Sequence, residues 1–165
     1  MMYAGCALVF LGLGGPALLP ASGFRGRPAI VFCIAFALSY CVYAVIWSVA
    51  WFSLPNTFGE IVGSLLGLTA FALAIRKSMK LAVPLLTGVS VLFLFHTVGY
   101  YAGGFAYEAL QGRGPAGISL SWEPKNIRLL ARLSWGLFYG IGLGLGICRF
   151  LYLSRQSSDS PSTHI

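Results

Sequence analysis

From Ala29 to Ser53 the chain runs without a single charged residue. A helix rises about 1.5 Å per residue and needs roughly 20 apolar residues to cross a hydrocarbon layer of about 30 Å, so this run alone is long enough. Four further apolar stretches give five expected spans: about Met2 to Leu19, Ala29 to Ser53, Thr57 to Ile75, Leu81 to Gly103 and Arg128 to Leu153. With 58% apolar and only 9% charged residues, a chain of 165 residues has too little polar surface to cover a water-soluble core. The expected fold class is therefore all-α: a polytopic integral membrane helix bundle forming one transmembrane domain over residues 1–153, with a flexible tail over 154–165.

The first span is the weakest, because Gly12, Gly14, Gly15 and Pro16 disfavour a regular helix. A cleaved signal peptide is the rival reading, but no basic residue precedes the apolar run as a signal requires. An uncleaved span is expected. Breaks fall at Phe24-Arg25-Gly26-Arg27-Pro28, at Leu54-Pro55-Asn56 and at Arg76-Lys77-Ser78-Met79-Lys80. One connection is long, residues 104–127.

The net charge of +7 is carried by basic residues dispersed as pairs and singles between the apolar runs, with no basic stripe interleaved with aromatics, so nucleic acid is not an expected partner. Lys and Arg orient a membrane protein instead. Arg25, Arg27, Arg76, Lys77, Lys80, Arg149 and Arg155 gather on one side, against Arg113, Lys125, Arg128 and Arg132 on the other. The richer side is expected in the cytoplasm, which puts the amino terminus and the long loop outside and the carboxyl terminus inside. A bacterial cytoplasmic membrane is the expected location.

Cys6, Cys33, Cys41 and Cys148 all lie in apolar stretches without a CxxC or a second ligand nearby, so neither a zinc site nor a redox pair is indicated. Cys33 and Cys41 are about 12 Å apart along one helix and cannot bridge each other. No cofactor or metal is expected. His96 is the only histidine within a span, and His164 lies in the tail on the opposite side, which argues against a haem held between them.

The segment WGLFYGIGLGLGIC, residues 135–148, resembles a dinucleotide fingerprint only superficially. A GxGxxG starting at Gly140 has Leu145 where the third glycine belongs, and no soluble strand precedes it. Spacing by four describes it better: Gly136, Gly140 and Gly144 repeat in the fifth span as Gly59, Gly63 and Gly67 do in the third, with Gly142 and Gly146 on an adjoining face. Such series let helix backbones approach closely in lipid, where the hydrophobic effect does not pull helices together. Each series is expected to be a packing seam, within the chain or towards a neighbouring subunit; lining a pore is the other reading.

Five polar residues are candidates for function. His96 is expected about 22 Å along its span from Leu81, in the outer part of the membrane, with Tyr100 one turn further on the same face. It is read either as a neutral histidine bonded across helices or as a functional intramembrane group. Glu60 completes Thr57-Phe-Gly-Glu60, a capping box, so a helix cap is its expected role and proton or cation binding the other. Arg128 and Arg132 are expected to reach the outer headgroups, or to recognise an anionic headgroup or substrate beneath the long loop that carries Glu108, Trp122 and Glu123.

Without HExxH, GxSxG, a metal-ligand cluster or paired carboxylates in one span, no catalytic motif is present. The favoured reading is a structural or accessory membrane subunit packing through its glycine seams into a homo-oligomer or larger complex. A small transporter or channel with His96, Tyr100 and Glu60 at an outer vestibule is the alternative. An intramembrane enzyme acting on a lipid-linked substrate, with His96 as base and the two arginines on phosphate, is the third.

Overall fold

The computed structural model describes residues 2–113 and 115–159, with the side chains of 2–9, 56 and 157–159 left aside. It is built from five helices: α1 (Met2–Ser22), α2 (Arg27–Ser53), α3 (Asn56–Met79), α4 (Leu85–Leu110) and α5 (Pro124–Asp159). Four of them, α2 to α5, contain stretches long and apolar enough to cross a membrane; in α1 the described apolar part, Phe10–Ser22, is shorter. Leu94–Gly146 forms one compact unit, and the described residues before and after it form another.

Local chemistry sets the helix ends. α1 stays helical through Pro16 and Pro20 although its composition disfavours a regular helix, and its glycines lie against α2. A Cβ on Gly15 would lie 3.0 Å from the Cα of Cys33, and one on Gly14 would meet the ring of Phe36 at 2.6 Å. A neighbouring helix of this kind is what lets glycine and proline persist in an apolar helix. Gly23 closes α1 in the left-handed region, φ +62°, where its N–H donates to the Leu19 carbonyl.

α2 begins with a proline in its first turn, where a missing N–H costs nothing. It ends at Leu54, held extended at φ −117°, ψ 151° as the residue before Pro55. α3 stops at Lys80, whose φ of 53° and ψ of 45° are left-handed and whose N–H donates to the Arg76 carbonyl. Arg76 and Lys77 in the last turn of α3 complement the negative end of its dipole.

Four expected boundaries move. The fourth span starts at Leu85 rather than Leu81, since the left-handed Lys80 and Pro84 interrupt the helix, and it runs on to Leu110 rather than Gly103. Gly103 and Gly104 do not end it; Gly103 sits against the Trp135 backbone of α5, and a Cβ there would lie 2.8 Å from the Trp135 carbonyl oxygen. α5 then opens at Pro124, so the long connection shortens to residues 111–123 and Glu108 belongs to α4. The expected tail begins later as well: α5 continues as helix through Ser154 to Asp159, with Ser154 only 2% exposed. His164 and the remainder of the tail lie outside the described residues.

The unit that holds α1, α2 and α3 centres on aromatic packing. Phe32 and Phe36 of α2 are fully buried, and Phe36 meets Phe71 of α3 edge to face at 5.8 Å. In the same unit the start of α4 packs on the end of α5, where a Cβ on Gly88 would strike the Phe150 ring at 2.5 Å.

Candidate functional site: packing faces and an aromatic cluster

Gly59, Gly63 and Gly67 are buried and lie against α2. A Cβ on Gly59 would lie 2.8 Å from the Ala50 carbonyl oxygen, one on Gly63 3.1 Å from the Trp47 Cα, and one on Gly67 2.7 Å from the Tyr43 ring. α3 therefore spends its glycine row on a neighbour within the chain.

α5 behaves differently. Its contact with α4 in the Leu94–Gly146 unit is made by Gly142, which sits opposite Gly99, while Gly103 covers the Trp135 backbone. The row predicted from spacing, Gly136, Gly140 and Gly144, meets nothing within 4 Å of a built Cβ. Beside it stand Leu133, Leu137 and Ile141, each more than half exposed. Spacing alone puts Gly142 on a flanking face of α5, and Gly99 and Gly103 carry the same four-residue spacing in α4.

His96 lies eleven residues after the start of α4 and fourteen before its end, so it is near the middle of the helix. α4 begins and ends later than the apolar run suggests. The His96 ring is 1% exposed, stacks on Tyr100 at 6.0 Å and meets Tyr139 of α5 edge-on at 5.4 Å. Trp135 completes the cluster, stacked on Tyr139 at 5.3 Å and edge-on to Tyr100 at 5.7 Å. Trp135 and Tyr139 repeat on α5 the four-residue spacing of His96 and Tyr100 on α4, the one signal by which they could have been found.

Arg128 and Arg132 are exposed near the start of α5. The two helices are antiparallel, since Gly99 faces Gly142 and Gly103 faces Trp135. Arg132 therefore lies about 15 Å from His96 along the axis, counting 1.5 Å for each residue from His96 to Gly103 and from Trp135 to Arg132. The geometry does not bring base and arginines to one site.

Glu60 is not part of a capping box. The N-cap of α3 is Pro55, with no side-chain capping hydrogen bond, and Thr57 already lies inside the first turn. Pro55 displaces the expected cap because its fixed φ suits the helix entry and draws the start of the helix back to Asn56. Glu60 is half-buried on α3, in the unit that does not contain His96. Among the described residues, no group of three or more His, Cys, Asp or Glu is placed to hold a metal ion. Comparison with protein-family models, curated proteins and solved structures found no match to this chain.

Proposed function

We propose that this chain is a multi-pass membrane protein that works as a non-enzymatic packing subunit, joining a second copy of itself or a larger complex through the Gly136, Gly140 and Gly144 face of α5. One observation carries the reading: the matching glycine row of α3 is covered from within the chain, whereas this row stays open beside exposed leucines. In lipid, a small-residue groove flanked by bulky side chains is a favourable seat for another helix, since close backbone approach supplies much of the attraction. In this reading α1 is a fifth span, the amino terminus is outside and the basic end of the bundle is in the cytoplasm of a bacterial inner membrane. Arg128 and Arg132 then sit at the outer headgroups.

The test is the oligomeric state of the full chain in mild detergent, read by light scattering and cross-linking. A wild-type oligomer that dissociates with Gly140→Leu is the expected result. A monomeric wild type with no co-purifying partner, or an assembly indifferent to Gly140→Leu, overturns the reading.

A transport reading keeps one supporting observation, the placement of a polar ring at mid-length of an apolar helix. Flux into liposomes that falls with His96→Ala would favour it over packing. The enzyme reading draws no support from the spacing of His96 and Arg132.

A further inference from the structure

The ends of α1 and α3 and the last turns of α5 enclose a cleft of about 400 Å³. Residues far apart in the sequence meet there, which is why no motif announces it. Two cations line it, Lys80 and Arg155, and both are exposed. Among the described residues, none that lines it is acidic.

The backbone is arranged around these two cations. The Arg155 guanidinium lies over Gly23, and any Cβ at Gly23 would collide with Nη2 of Arg155. Lys80 is the one non-glycine residue with a positive φ among those described, at a helix end where glycine is the relaxed choice.

A bland role for both would be to neutralise the carbonyls at the helix ends, and two of those carbonyls are already engaged from within the chain. Leu19 O accepts from the Gly23 N–H and from the Ser22 hydroxyl, and Arg76 O accepts from the N–H groups of Lys80 and Leu81. Both cations line the cleft. Leu81 and the buried Leu151 supply an apolar wall beside them. The cleft also stands where apolar helices end, the level at which lipid phosphates lie against a bilayer-spanning protein.

We propose that this cleft binds a phosphate oxyanion, held by the Arg155 guanidinium and the Lys80 ammonium, with the headgroup of an anionic phospholipid as the source that the apolar wall fits. Arginine presents a fork of donors matched to phosphate, and lysine adds a point charge. This site is at the opposite end of α5 from Arg128 and Arg132, and it stands apart from the oligomer reading.

The purified full chain is titrated with phosphatidylglycerol and, separately, with phosphatidylcholine, and bound lipid is counted by native mass spectrometry. Phosphatidylglycerol is expected to bind preferentially, and Lys80→Gln with Arg155→Gln to weaken it by about thirtyfold, the loss for two juxtamembrane cations. Arg113→Gln, which lies outside the cleft, should leave it unchanged. Gly23→Ala keeps the charge but displaces Arg155, so it should weaken binding as well, and it keeps the test decisive if the double variant does not fold. Added inorganic phosphate separates the sources: failure to compete at millimolar concentration marks a lipid site, and full competition marks a free phosphate in the same cleft. Equal retention of phosphatidylglycerol by wild type, double variant and Gly23→Ala overturns the proposal.

Discussion

Gly99 and Gly142 face each other across α4 and α5 so closely that a Cβ on Gly142 would come within 2.7 Å of the Gly99 Cα and 2.6 Å of the Phe95 carbonyl oxygen. Both obstacles are backbone, so neither can rotate away. Gly142→Ala is expected to cost about 1–3 kcal/mol through overpacking. Gly140→Ala, two residues earlier and facing open space, should leave the isolated chain as stable or raise its stability by up to about 1 kcal/mol, since alanine is the better helix former. Unfolding of both variants in detergent, followed by circular dichroism, checks the contrast. Equal losses would mean that α5 turns a different face to α4.

That pair also marks how far the sequence could be read. The apolar runs identified the helices, and spacing by four picked out Gly59, Gly63 and Gly67 on a buried face. The same spacing in α5 is ambiguous, because Gly136, Gly140 and Gly144 form as good a row as Gly142 and Gly146, and only the facing helix decides between them. Glycines 103 and 104 read as a helix end because local propensity is against them, yet the Trp135 backbone holds Gly103 in α4. Thr57 and Glu60 read as a cap because the pattern ignores what Pro55 does to the helix entry. The ring cluster needs Trp135 and Tyr139 from a different helix, and the basic cleft needs residues from three helix ends. Both are products of tertiary packing, to which local pattern is blind.

Packing of α1 on α2 can be tested with a single new thiol. A Cβ at Gly15 would stand 3.3 Å from the Cys33 Cβ, slightly inside the usual disulfide range of about 3.5–4.5 Å, a gap that a small shift of α1 closes. Gly15→Cys is expected to bridge to Cys33 under mild oxidation. The oxidised variant should lose a pair of maleimide tags relative to its reduced form, as read by mass. Gly12→Cys, with nothing within 4 Å of its Cβ, should stay reduced. Bridging at both positions, or at neither, would contradict the α1–α2 contact.

His96 is buried against two aromatic rings, Tyr100 and Tyr139, so its removal should be felt in stability whatever else it does. His96→Ala is expected to cost about 2–4 kcal/mol by opening a cavity among rings that cannot collapse fully. The coupling between His96 and Tyr139 should appear as non-additivity of about 0.5–1.5 kcal/mol when both are truncated, the range for a ring pair in contact. Denaturant titration of the wild type, the two single variants and the double variant completes that cycle. Strict additivity would show that the two rings do not share a packed cluster.

The orientation proposed from the basic residues makes a prediction independent of packing. Ala116 belongs to the connection between α4 and α5, and Ser78 to the charged last turn of α3. Lys and Arg near the ends of spans are retained on the cytoplasmic side, and they are more numerous at the Ser78 end. In a cysteine-free background, Ala116→Cys is therefore expected to react with a membrane-impermeant maleimide added to intact cells. Ser78→Cys should react only after the membrane is opened. The reverse pattern would invert the orientation and move the Lys80 and Arg155 cleft to the outer leaflet, leaving its phosphate chemistry unchanged but exposing it to the other leaflet's lipids. Labelling at both positions from outside would mean that the helices between them do not cross the bilayer an odd number of times, which the single long α4 requires.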